Sequence, residues 1–222
     1  VDALAQGQLE AHYQPVVSAV DNRVTGFEAL IRWNHPERGY VSPASFIPIA
    51  EESELIQRIG EWMLRRACTD AMQWPVGLTV AVNLSSIQFS NQRLPKLVAQ
   101  ALTASGLKAE RLELELTESV FLNSTSETMA MFQSLKTLGV RLALDDFGTG
   151  YSSLSYLQDA PFDKIKIDQS FVRTATEKGS RNAAIISAIV TLADALKMDT
   201  TAEGIETLDQ LALIQKLGVS HI

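Results

Sequence analysis

With 222 residues, 46% of them hydrophobic, the chain has the material for one large α/β domain, and barrels of that class reach this size. Its 26 Asp and Glu outweigh 19 Lys and Arg, and the net charge of −7 excludes a protein that holds polynucleotides through its overall field, so any phosphate partner has to be met locally. Cys68 is the single cysteine, no apolar run is long enough to span a bilayer and no signal-peptide pattern stands out, so the expectation is a soluble stretch without disulfides. A cytoplasmic setting is expected, either free or as the cytoplasmic part of a membrane-anchored protein.

The chain opens in a helix-like segment, residues 2–10, as a piece of a longer protein would. Apolar alternation then predicts strands over 11–19, 24–33, 78–84, 112–117, 140–145, 164–168 and 200–203, with a last one starting near Val219. Helical spacing fills the intervals at 45–51, 55–73, 94–105, 125–138, 181–196 and 208–217. Within the first of these, Phe46 and Ile49 are expected to pack inward, whereas Arg65, Arg66 and Lys136 read as solvated helix faces. Ser124 with Glu127 forms a capping box, and Gly106, Gly139 and Gly218 each follow a helix. Only Val20-Asp21-Asn22-Arg23 joins the first two strands, too short for a helical crossover, so these pair antiparallel. The fold class expected is a TIM-like (β/α)8 barrel with an irregular start, its first strand antiparallel, in a single domain over 1–222.

Two strands carry an unusual load. In Leu112-Glu113-Leu114-Glu115-Leu116 the leucines share one face and the glutamates the other, and Lys164-Ile165-Lys166-Ile167-Asp168 repeats the pattern. Parallel sheets under helices are buried on both faces, and an interior carboxylate must be paired, hydrogen-bonded or bound to metal. Glu28 and Arg32, Asn83, Glu115, Asp145 with Asp146, Lys166 with Asp168, and Glu203 all fall at or near C-terminal strand ends or on the inward parity. Too few cations accompany these acids. Divalent ions supply the missing charge, and an all-oxygen donor set selects Mg2+ or Mn2+ over zinc. Adjacent Asp145-Asp146 offers a bridging carboxylate and a terminal ligand for two metals. Asp146-Phe147-Gly148 also spells a kinase metal triplet, but the glycine-rich loop and His-Arg-Asp segment of kinases are missing. His12, His35 and His221 lack metal-ligand spacing and receive no role.

These residues resemble the EAL-domain phosphodiesterases of bacterial cyclic di-GMP signalling. The signature stands as Glu28-Ala29-Leu30, beside Tyr13-Gln14-Pro15, Asn83-Leu84-Ser85, Glu115-Leu116-Thr117-Glu118, Asp145-Asp146-Phe147-Gly148-Thr149-Gly150, Lys166-Ile167-Asp168 and Ala202-Glu203-Gly204-Ile205-Glu206. The resemblance implies hydrolysis of cyclic di-GMP to linear pGpG with two Mg2+ or Mn2+ ions, Ca2+ being inhibitory. It implies one metal on Glu28, Asn83, Glu115 and Asp145, and a second on Asp145, Asp146 and Glu203. Lys166 then orients the attacking water, Glu118 steadies the loop after Asp146, and Gln14, Leu30, Arg32, Asp168 and Glu206 meet the ligand. It leaves room for a homodimer and for an upstream sensory or cyclase domain. Family members continue past the position of Ile222 with a Gln-Gly-Tyr-type segment, so the C-terminal end is expected to be truncated; if the chain ends at Ile222, the last strand is a stub and the barrel has an open edge. The alternative is a receptor that binds cyclic di-GMP without cleaving it. Glu28, Asp145 and Asp146, which such receptors tend to lose, are all present.

Overall fold

The computed structural model describes residues 2–121, 126–149 and 154–222. After a short helix, α1 (Asp2–Ala5), the antiparallel hairpin β1 (Leu9–Val17) and β2 (Val24–His35) sets Gln14 opposite Glu28. A three-residue strand, β3 (Gly39–Val41), folds back on the end of β2; it is too short to carry a readable period. The chain continues through α2 (Pro43–Glu52), α3 (Leu55–Ala71), β4 (Thr79–Leu84), α4 (Ser86–Phe89), α5 (Leu94–Ser105) and β5 (Leu112–Thr117). Then come α6 (Ser126–Thr137), β6 (Arg141–Phe147), α7 (Leu154–Asp159), β7 (Lys164–Ile167), α8 (Gln169–Arg173), α9 (Asn182–Leu196), β8 (Asp199–Ala202) and α10 (Leu208–Lys216). The strand order is β1-β2-β4-β5-β6-β7-β8, parallel from β2 onward, so the sheet curls as a TIM-like barrel with an antiparallel first strand. No helix among the described residues is long and apolar enough to cross a membrane.

The expected last strand is a short bridge between the two edges of the sheet. Val17 and Ile222 exchange both backbone bonds at 2.8 Å, while the His221 N–H donates to the Thr200 carbonyl at 2.8 Å and the Ala202 N–H to the His221 carbonyl at 2.9 Å. The two edges are therefore joined at this height rather than open there. Above it, Gln14, Pro15 and Val16 face a cleft.

Strand parity sorts the interior. Val80, Val82, Leu112, Leu114, Leu116, Leu142, Leu144, Ile165 and Ile167 are buried and sit in the apolar core between sheet and helices. On the opposite parity β5 carries Glu113 and Glu115, β6 Arg141 and Asp145, β7 Lys164 and Lys166. Ala67, Cys68 and Ala71 give α3 a fully buried face, and burial pushes the Cys68 thiol up to about 12, leaving it inert.

Two surface expectations need correction. Phe46 and Ala50, four residues apart, form the buried stripe of α2 against Trp33, which leaves Ile49 64% exposed rather than inward. Lys136 is not a solvated face either: its ammonium reaches both oxygens of Asp163 at 2.8 Å, fastening α6 to the entry of β7. The capping role of Ser124 lies outside the described residues.

Gly26 lets β2 lie close against Thr79 of β4, since a Cβ there would lie 2.7 Å from the Thr79 carbonyl oxygen. Gly26→Ala is expected to lower the unfolding free energy by about 1–3 kcal/mol. A urea midpoint unchanged from wild type would contradict this close approach.

Candidate metal and ligand site

The C-terminal mouth of the barrel is organised around one ammonium group. Lys166, 3% exposed, meets Glu115 and Glu203 at 2.7 Å and Glu28 and Asp145 at 3.2 Å. These carboxylates come from β2, β5, β6 and the residue after β8, so separate β-segments converge as the sequence pattern requires. The Asn83 amide donates to the second Glu28 oxygen at 2.7 Å, aided by the register that sets Asn83 beside Glu115.

Consecutive strand residues normally point to opposite faces, yet Asp145 and Asp146 serve the same site. Asp146 adopts φ 55°, in the left-handed region, where the β6–β7 register shifts, and its N–H donates to Asp145 Oδ1 at 2.9 Å. This reversal brings carboxylate oxygens of Asp145, Asp146 and Glu203 within 4.8 Å of one another. Aspartate tolerates that backbone better than most residues do. Beyond it, the Gly148 N–H donates to Glu118 Oε1 at 2.9 Å, so Glu118 does hold the start of this loop.

The electrostatics are lopsided. Burial, then the charges of Glu28, Asp145 and Glu113, push Glu115 well above the usual carboxylate range against the pull of Lys166. Glu203 and Asp146 are raised as well, chiefly by burial and by Asp145. Burial alone would lower Lys166; Glu115, Asp145, Glu28 and Glu203 overcome it and hold the ammonium charged. Five carboxylates thus share one cation, and no other Lys or Arg pairs with them among the described residues. Such a donor set, hard oxygens with surplus negative charge and three of them, on Asp145, Asp146 and Glu203, within 4.8 Å of one another, fits divalent cations.

Beside these acids opens a cleft of about 710 Å3, lined among others by Gln14, Leu30, Glu206, Gln169, Ile205 and Leu208. The first three are ligand residues expected from sequence, whereas Gln169, Ile205 and Leu208 were not singled out. Their signal was positional, since each follows the end of β7 or β8 by a few residues. Gly204 turns the chain there with φ 70° and passes so near Gln169 that a Cβ would lie 2.5 Å from it. Two expected ligand residues lie off the cleft lining. Arg32 donates to the neighbouring Ile31 carbonyl at 2.9 Å, and Asp168 caps α8 by accepting from the Ser170 N–H.

The raised Glu115 carboxyl opposes folding of the metal-free chain as pH rises. Below its ordinary value of 4.5 it is protonated folded and unfolded alike; above that the unfolded chain ionises first. Glu115→Gln should therefore raise the metal-free melting temperature at about pH 8 and leave it unchanged near pH 4. Thermal unfolding followed by circular dichroism checks this, and an equal shift at both pH values would contradict it.

Comparison with known proteins agrees with this geometry. A family model described as EAL domain matches residues 1–222. The bifunctional diguanylate cyclase/cyclic di-GMP phosphodiesterase MucR of Pseudomonas aeruginosa is 41% identical over 224 residues, covering 99% of this chain and 33% of that protein. The solved phosphodiesterase of MucR in complex with c-di-GMP superposes with TM-score 0.95 at 40% identity, over 99% of this chain and 90% of that one. The calcium/cy-diGMP complex of BlrP1 from Klebsiella pneumoniae gives TM-score 0.84 at 31% identity, over 99% of this chain and 55% of that one. The chain spans 26% to 35% of the length of the curated relatives it matches. By its fold, its converging acids and these matches, the chain belongs to the EAL domain family.

Proposed function

We propose that this chain is a metal-dependent phosphodiesterase that opens cyclic di-GMP to linear pGpG. The observation that carries the reading is the convergence of four carboxylates on one lysine beside a cleft, with Asp146 clustered against two of them and the Asn83 amide bonded to a third. Glu28, Asn83, Glu115 and Asp145 would hold one divalent ion, and Asp145, Asp146 and Glu203 a second. Two such ions supply a water acidified towards neutral pH and neutralisation of the scissile phosphate.

The chain's own residues do the rest. Lys166 keeps its ammonium charged, so its N–H groups can hold the attacking water oxygen in place and favour negative charge as the phosphorus–oxygen bond forms. Asp145, adjacent to Lys166 and to Asp146, couples the two halves of the acidic cluster. Glu118, through the Gly148 N–H, holds the backbone that follows Asp146. Gln14, Leu30 and Glu206 line the cleft and are the ligand contacts this arrangement supports, whereas Arg32, which spends one N–H of its guanidinium on the Ile31 carbonyl, would meet a phosphate with the others. Relatives solved with c-di-GMP support the substrate class.

Incubation with cyclic di-GMP and Mg2+, with products resolved by chromatography, tests the proposal; binding without pGpG would make the chain a receptor instead. Glu28→Ala should reduce turnover by at least about a hundredfold while cyclic di-GMP affinity changes only a few-fold. Turnover near the wild-type rate would remove Glu28 from the ligand set. Ca2+ should inhibit, because its longer and looser coordination misplaces the water, and robust hydrolysis with Ca2+ alone would contradict the proposed geometry.

A further inference from the structure

Beneath the Lys166 layer the barrel interior carries a second layer of charge. Glu113 precedes Glu115 by two residues on β5, and Lys164 precedes Lys166 by two on β7, so the same cross-barrel pairing repeats one level down. Lys164 Nζ meets Glu113 Oε1 at 2.6 Å, and Arg141 of β6 meets Glu113 Oε2 at 3.2 Å and Asp199 Oδ2 at 2.7 Å. Glu113 and Lys164 are 2% and 7% exposed. Ala143, fully buried on the intervening β6, presents only a methyl group between the two levels.

The two levels differ in charge balance. The lower has two acids and two bases, whereas the upper has five acids and one base. One strand repeat, about 7 Å, separates them, close enough for an unbalanced interior charge below to act on a divalent ion above. Glu113 is already among the groups whose charge acts on Glu115.

We infer that Glu113 and Lys164 are positioning residues that set the divalent-cation affinity of the upper layer, by being a matched pair that adds no net charge beneath it. Neither is among the residues assigned to hold the ions, although Lys164 lines part of the cleft, and both act through Glu115 and Lys166. This inference rests on the metal-site reading above, and its consequence is a pair of opposite signs. Glu113→Gln leaves a surplus positive charge below the site and should weaken Mn2+ binding roughly tenfold. Lys164→Gln leaves a surplus negative charge and should tighten it by a comparable factor. The double variant should return to within about threefold of wild type, because both charges are gone.

Mn2+ titration of the metal-free chain by electron paramagnetic resonance, without substrate, reads all three, with circular dichroism to verify folding. Asp199→Asn, at a side chain 45% exposed, guards against failure of the buried variants to fold and should weaken Mn2+ binding a few-fold in the same direction as Glu113→Gln. Wild-type uptake with shifts of one sign in Glu113→Gln and Lys164→Gln, or with no shift in Asp199→Asn when the buried variants do not fold, would overturn this inference alone. A wild-type chain that takes up no Mn2+ would overturn the metal-site reading and this inference with it.

Discussion

One buried ammonium cannot neutralise five carboxylates. In a barrel interior an ionised acid without a partner is expensive, and Lys166 can offer its charge to Glu28, Glu115, Asp145 and Glu203 only by dividing it. Burial first, and then the neighbouring acids, raise the carboxyls of Glu115 and Glu203 despite that ammonium. A fold tolerates such a centre when cations arrive from solution, and the excess acid then becomes binding affinity.

The contrast between the two interior levels sharpens the point. Glu113, Lys164, Arg141 and Asp199 show how this barrel buries charge for structural ends, as paired opposites. The level above them abandons that balance while keeping the same strands and parity. Backbone strain enters there too: Asp146 is held in the left-handed region, and that departure from strand geometry lets two neighbouring aspartates face one site. Stability is surrendered where chemistry is proposed.

Much of this was legible in the residues. Period-two alternation in 112–117 and 164–168 located the charged interior, and helical intervals with terminal glycines separated the strands well enough to name the barrel. The short connection Val20-Asp21-Asn22-Arg23 foretold the antiparallel start. What eluded the sequence depended on contacts between distant segments. The bonds of Arg32 to the Ile31 carbonyl and of Asp168 to the Ser170 N–H are local ones that leave no mark on periodicity. Similarly, Lys136 reads as a surface residue until Asp163 is brought beside it. Ile49 shares the apolar character of Phe46 but not its side of α2. Strand β3 is too short for any pattern and exists because the neighbouring edge of β2 needs a partner.

The central claim is that cations hold the acids of the barrel mouth together. Anomalous diffraction from crystals of the chain grown with Mn2+ tests it most directly. The account predicts two peaks, one bounded by Glu28, Asn83, Glu115 and Asp145 and the other by Asp145, Asp146 and Glu203. Ordered protein with no anomalous peak among these residues, or with Mn2+ bound only elsewhere, would contradict it.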